Sequence, residues 1–284
     1  MCLLLGVGAI EGLRLRQRQQ ELRRLQKALP DSLQLLPPAQ RPLEEEYQQL
    51  LRQMAAAHAL QVTQEDIRYQ QMAEYIALWG HQIKTPLAAQ RLLLSKDDSP
   101  QGHALGAEVF QVERYVDMAL NYIKLEAGAD DFRFTLVNLK EAAHEAVRRY
   151  ARHFVLKKLS LTVQVPEEAQ VSTDRKQLLF VLEQLISNGI KYTTTGGLSI
   201  AWQEESRTLT IQDTGCGIRP EDIPLLTHQG FTGYNGHIDR QATGLGLYLA
   251  GRVCSRLGMA LAFDSLWGEG TTVKLTFAEH LQPM

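Results

Sequence analysis

Helical spacing dominates the sequence from Leu43 to Glu126 and breaks once, at KDDSPQG (96–102), where Asp, Ser, Pro and Gly supply turn chemistry. Ahead of the break, Leu43, Tyr47, Leu50, Met54 and Ala57 step by four and three residues in alternation, a seam that lets one helix pack along another. The same helix is expected to carry His81, within WGHQIKTPLA (79–88), with Trp79 and Ile83 facing a partner helix. Behind the break, Val109, Val112, Val116, Ala119, Leu120 and Ile123 recur near helical spacing. They predict a second helix from about His103 to Glu126, ended by Gly128. Two long antiparallel helices joined by a short turn cannot bury both apolar faces alone. A second such hairpin is needed, which predicts a four-helix bundle in a homodimer.

The length, 284 residues, suggests about two domains. A formal net charge of −2 supplies no overall basic field, so nucleic acid is not an expected partner. Cys2, Cys216 and Cys254 are far apart, without the paired spacing of a zinc site or disulfide framework. The opening MCLLLGVGAI is apolar but stops at Glu11, short of the ~20 residues a membrane-spanning helix needs. Arg14, Arg16, Arg18, Arg23, Arg24 and Lys27 crowd behind it, as the cytoplasmic flanks of membrane helices do. We read the start as the stump of a membrane helix entering the cytosol, against the plainer reading of a helix with a solvated basic face. PDSLQLLPPAQRP (30–42) then marks a linker. The expected divisions are 1–42, a membrane-proximal segment and linker; 43–129, the helical hairpin; and 130–284.

In the last of these, NLKE (138–141) and DRKQ (174–177) are capping boxes that open helices. LSLTVQV (159–165), GLSIAW and TLTIQD read as strands, the last two separated by a polar turn at 204–207. A helix from about Thr243 to Leu257 and strands at 259–265 and 271–277 complete the chain. Helices and strands without regular βαβ alternation predict an α+β sandwich, one mixed sheet covered by helices on one face.

Several short stretches could carry chemistry. In DTGCG (213–217), Asp213 is placed to accept a hydrogen bond from an adenine amino group, while Gly215 and Gly217 let the backbone approach a ligand. Gly244 and Gly246 open a helix and would present free N–H groups to phosphate oxygens. Residues 219–243 between them form a long irregular segment, read as a lid; Arg240 within it is either a phosphate contact or a solvated charge. On the helix capped by Asp174, Asn188 and Lys191 share a face, with Gln184 one turn before. An amide oxygen suits Mg²⁺, and Lys191 suits phosphate. Each stretch alone has a bland reading: a turn after a strand, or a polar helix face. The remaining histidines, His58, His103, His144, His153, His228, His237 and His280, share no metal spacing and are read as surface or lid residues.

Their order along the chain resembles that of the sensor histidine kinases of two-component systems. HQIKTP is similar to the family's phospho-acceptor box, NGIKYT to its Asn box, DTGCGI and TGLGL to its glycine boxes, and GFTG (230–233) to its Phe box. The wording of WGHQIKTPLA and ATGLGLYLA is most similar to the intramembrane-sensing kinases that work beside peptide-antibiotic ABC transporters. The resemblance covers roughly residues 66–277. It implies a dimerisation and phosphotransfer hairpin followed by an ATP-binding sandwich of the GHKL type. ATP and Mg²⁺ are the implied ligands, with Asn188 and Gln184 toward the metal, and Lys191 and Tyr192 lining the nucleotide. Asp213, Gly215, Gly217 and Ile218, then Phe231, then Thr243, Gly244, Leu245 and Gly246 complete the implied nucleotide site. His81 would take the γ-phosphoryl group, aided by Gln82 and Thr85, and pass it to an aspartate of a response regulator. The full-length protein would sit in the cell membrane, this chain being essentially its cytoplasmic portion, with an ABC transporter as a further partner.

Two departures stand out. Gln82 occupies a position that is often acidic in the family; it can orient the imidazole but adds no charge. Gln184 stands where the Asn box often has another Asn. The same nucleotide fold in chaperones, topoisomerases and mismatch-repair proteins carries a water-activating glutamate one turn before the Asn. Gln184 fills that place here, and Glu183 is rotated about 100° around the helix. Pro86 removes a helix N–H and crowds the Gln82 carbonyl, which predicts a kink just beyond His81.

Overall fold

The computed structural model describes residues 41–97, 99–126, 132–236 and 243–278, with isolated positions before 41. The apolar opening, most of its basic flank, Gly128, His237, Arg240 and His280 lie outside the described residues. Among the described residues, no helix is long and apolar enough to cross a membrane.

The chain divides into two compact units, Met1–Glu74 and Tyr75–Met284. The described part of the first is essentially the opening of helix α1 (Pro42–Leu94), where the seam residues Leu43, Tyr47, Leu50 and Met54 are exposed on the single chain.

The second unit starts with the rest of α1, which continues as a helix through Pro86, and with α2 (Pro100–Glu126). Helix α2 starts three residues before the expected His103. The Ser99 hydroxyl accepts the Gly102 N–H at 3.0 Å, leaving Pro100 in the first turn, where its missing N–H costs nothing. The two helices meet at Gly80, which is buried: a Cβ there would come within 2.5 Å of Leu120. Lys84 pairs with Asp117, and Arg91 with the buried Glu113 at 3.4 Å. The seam toward α2 runs through Gly80, half-buried Ile83 and buried Leu87. Trp79 lies off it and is exposed on the single chain.

Then follow β1 (Phe134–Asn138), α3 (Leu139–Lys157), β2 (Ser160–Gln164), β3 (Gln170–Asp174) and α4 (Arg175–Tyr192). After these come β4 (Gly197–Gln203), β5 (Thr208–Asp213), a 3-10 turn at Ile223–Leu225 and the short α5 (Gly233–Gly236). The last elements are α6 (Gly246–Arg256), β6 (Met259–Leu266) and β7 (Gly270–Phe277). Both capping boxes supply N-caps: Asn138 Oδ1 accepts the Glu141 N–H and Asp174 Oδ1 the Gln177 N–H, each at 2.9 Å.

The expectation of a single sheet needs correction. Five strands form a mixed sheet in the order β2-β4-β5-β7-β6, parallel only between β2 and β4. The strands β1 and β3 form a separate antiparallel pair, Phe134 opposite Asp174 and Asn138 opposite Gln170. Leu178, Leu182 and Ile186 of α4, with Leu139 and Leu249 from the flanking helices, pack with Ile200, Leu209 and Leu275 of the sheet; all are fully buried. That burial, at about 25 cal/mol per Å² of apolar surface, holds α4 and its polar edge in register with the strand ends.

Candidate functional site

Most of the residues singled out in the sandwich meet around one cavity of about 400 Å³. Gln184, Asn188, Lys191 and Tyr192 reach it from α4, Asp213 from the end of β5, and Gly217 and Ile218 from the following turn. Phe231, Thr243, Gly244 and Gly246 close it. Gly215 and Leu245 are not on the lining, and neither are His81, Gln82 and Thr85 of α1.

Asp213 Oδ1 accepts the Gly215 N–H at 2.9 Å. Burial pushes this carboxyl above the usual carboxylate range, against the backbone N–H groups of Gly215 and Thr271. The turn after it is held from several sides. Tyr192 O accepts the Cys216 N–H at 3.2 Å, and Ser265 Oγ accepts the Ile218 N–H at 2.8 Å. Gly215 is needed by close approach: a Cβ would lie 2.6 Å from the Tyr192 carbonyl oxygen.

The second glycine turn has a different geometry. Gly244 has φ of 65°, and a Cβ on it would run into the backbone of Gly230 at 2.4 Å, so two glycine-containing segments cross there. The Thr243 hydroxyl accepts the Leu245 N–H at 3.4 Å, and α6 begins only at Gly246, three residues later than expected. Among the described residues no side chain caps α6, so its first N–H groups are without a side-chain acceptor. Gln184 is buried, and its Oε1 would lie 2.7 Å from a Cβ on Gly246, so the Asn-bearing helix and this turn touch. The Lys191 ammonium sits 4.8 Å from the centre of the Tyr192 ring.

Glu183, the neighbour of Gln184, is tied to Arg149 of α3 at 2.6 Å. Burial pushes its carboxyl up, opposed by that guanidinium.

The irregular segment from 219 to 236 has its own anchors. Arg219 stacks on Tyr234 at 3.6 Å and lies 5.3 Å from the Trp267 ring, while Asp222 Oδ2 accepts the Tyr234 N–H at 3.1 Å.

His81 is exposed on α1, and the Thr85 hydroxyl donates to its backbone carbonyl at 3.2 Å. Gln82 and Thr85 are exposed beside it.

One histidine departs from its expected surface placement. His153 is half-buried on the cavity wall, 5.3 Å from the Phe110 ring and 5.8 Å from that of Tyr150. Burial, then Arg114, Arg152 and Lys157, hold its imidazole below the usual range. The spacing Tyr150, His153, Lys157 on one face of α3 was the available signal. Gln111, Arg114 and Tyr115 of α2 also line the cavity and were not anticipated. His58, His103, His144 and His228 are exposed as expected. Among the described residues no group of three His, Cys, Asp or Glu could hold a metal, and Cys254 is a buried free thiol.

Residues 173–281 match the family of histidine kinase-, DNA gyrase B-, and HSP90-like ATPases. The chain is 30% identical over 207 residues to sensor histidine kinase YxdK of Bacillus subtilis, covering 72% of this chain and 64% of that protein. It is 33% identical over 214 residues to sensor protein BceS of Halalkalibacterium halodurans, covering 74% and 64%. The chain is thus similar to sensor histidine kinases, and it spans 64% of the length of these two relatives. The fold is similar to part of full-length ShkA, solved in complex with AMPPNP, with a TM-score of 0.50 at 18% identity over 72% of this chain and 46% of that one.

Proposed function

We propose that this chain binds ATP in the cavity, transfers the γ-phosphoryl group to His81, and passes it to an aspartate of a response regulator. The observation that carries the reading is the convergence on one cavity of Asn188, Asp213 and Gly244, while His81 stands exposed on a separate helix. In this scheme 43–129 is the dimerisation and phosphotransfer domain and 130–284 the ATP-binding domain.

Asp213 accepts the adenine amino group, with Gly215, Gly217 and Ile218 shaping the turn beneath the base. Tyr192 and Phe231 flank the nucleotide. Thr243, Gly244 and Gly246 present backbone N–H groups to phosphate oxygens, Leu245 holds the turn through its N–H to the Thr243 hydroxyl, and Lys191 offsets the phosphate charge. The uncapped start of α6 and the glycine crossing fit a phosphate chain. Asn188, with Gln184 one turn before it, offers amide oxygens that suit Mg²⁺ shared with phosphate oxygens, as that ion is usually held. When bound, Mg²⁺ supplies charge neutralisation of the phosphates.

The chemical step needs positioning more than covalent help. The lone pair of His81 Nε2 forms the N–P bond as the bond from the γ-phosphorus to the bridging oxygen breaks, and ADP leaves. Gln82 orients the ring. Thr85 is placed to hold a water for the reverse dephosphorylation of the regulator, without an acid at 82 to assist. Hydrolysis as the main task is disfavoured because Glu183 is held by Arg149 and is turned from the position a water-activating base would need.

The full-length protein is a membrane kinase in this reading, with the chain as its cytoplasmic portion, dimeric through α1 and α2. Its subgroup points to an ABC transporter as companion and to antibiotic or cell-envelope stress as the signal.

The test is incubation with γ-labelled ATP beside a His81→Gln variant. Acid-labile, base-stable label on the parent alone is expected. Label retained by the variant would put the acceptor elsewhere, and nucleotide binding without label would leave a sensing module that does not transfer phosphate.

A further inference from the structure

We infer that Arg114, on the second helix of the hairpin, is a ligand for the terminal phosphate of the bound nucleoside triphosphate, so that α2 itself completes the phosphate end of the cavity. The inference rests on the nucleotide reading above and adds a residue from outside the sandwich. Arg114 lines the cavity beside Tyr115 and Met118, facing Tyr150 and His153 of α3. Its guanidinium carbon lies 5.9 Å from the centre of the Tyr150 ring, and its Nε is buried with no hydrogen-bond partner. The carboxylate whose field it shares, Glu183, is already engaged by Arg149 at 2.6 Å. A buried N–H donor left without an acceptor is costly, and on this half-buried side chain it belongs to a cation.

The position along the cavity identifies which anion would fill it. Helices α3 and α4 run side by side in the same direction, since Arg149 pairs with Glu183 and Lys157 reaches Ile190. Tyr150, over which Arg114 lies, shares the cavity lining with Ser187, the neighbour of Asn188. Gln184, one turn earlier, touches the Gly246 turn. Arg114 is therefore level with the amide oxygens and the uncapped helix start rather than with Asp213. His153, on the same wall, has a second buried and unpartnered atom, Nδ1. Among the described residues, the carboxylates on the lining are Asp213 and Asp222, engaged with the backbone N–H groups of Gly215 and Tyr234. A planar fork of N–H donors with no carboxylate partner matches phosphate oxygens well.

Equilibrium binding of AMPPNP and of ADP to the chain, compared with Arg114→Met and Arg114→Lys, tests this. Loss of one charge-assisted contact predicts about tenfold weaker AMPPNP binding for Arg114→Met, with ADP affinity within about twofold of the parent. Arg114→Lys should recover part of the difference, and it carries the test if the Met variant melts early. Equal loss for both nucleotides, no loss for either, or a Lys variant as weak as Met would overturn the assignment. Failure of the parent chain to bind ADP at all would instead sink the nucleotide reading, so the two failures are distinguishable.

Discussion

The Lys157 ammonium lies 2.6 Å from the carbonyl oxygen of Ile190, and it also donates to the carbonyls of Lys191 and Thr193 at 3.1 and 3.3 Å. These groups end α4, where carbonyls lack helical partners and a cation complements the helix dipole. Asn188 and Lys191 stand on that last turn, so Lys157 acts as a positioning residue for them. Lys157→Met is expected to lower stability by about 1 kcal/mol, seen as a lower urea midpoint, and to weaken ADP binding several-fold. A variant with the parent's midpoint and ADP affinity would show that the cap has no such role.

Asp213 ties stability and binding to pH with opposite signs. Its unfolded pKa is about 3.9, and burial raises the folded value. Between the two, the native state holds more protons than the unfolded one, so its contribution to stability is full below the unfolded value and is lost as pH rises through the folded one. The ionised form is the one that accepts the adenine amino hydrogen, so ADP affinity should be full above the folded pKa and fall below it. Asp213→Asn is expected to keep or raise the melting temperature at pH 7 while weakening ADP binding at least tenfold. A variant that melts well below the parent at pH 7, or ADP affinity flat from pH 7 to 4, would contradict this account.

What could be seen in the sequence was what is written locally. Asn138 and Asp174 act within three residues of themselves, and the glycine turns are contiguous motifs, so both were visible. The strands β1 and β3 were not. FTLVN leaves Thr135 and Leu136 exposed in succession, without the alternation that marks a half-buried strand, and its partner residues lie some 40 positions away. Arg114, Tyr150 and His153 were missed for a related reason. Each fits an amphipathic helix, and their common wall exists only once α2 and α3 pack.

The glycines around the cavity are not equivalent. Gly217 has φ of 69°, and a Cβ there would meet the Leu266 carbonyl oxygen at 2.0 Å, which is backbone and cannot swing aside. On Gly246 a Cβ would meet the end of the flexible Gln184 side chain at 2.7 Å. Gly217→Ala should therefore cost about 2 kcal/mol or more, and Gly246→Ala under about 1 kcal/mol, because alanine also favours the helix. Thermal melts of the two variants should separate by several degrees. Equal melting temperatures would mean the β6–β7 connection yields more readily than its hydrogen bonds imply.

The two thiols of the sandwich should differ in reactivity. Cys254 faces the core from α6 at 1% exposure, and burial pushes its thiol up to about 12. Thiolate is the reactive form, and at pH 8 that places roughly one molecule in ten thousand in it, behind a packed wall. Cys216 is half-buried in the turn after Asp213. In a Cys2→Ser background, a disulfide reagent at pH 8 should modify Cys216 first, and Cys254 only as fast as α6 opens or when denaturant is added. Because α6 carries Gly246 at its start, ADP should slow the second reaction further and leave unfolded-state reactivity unchanged. Simultaneous modification of both thiols in the native protein would place α6 among the loosely held elements and remove it as a firm floor for phosphate.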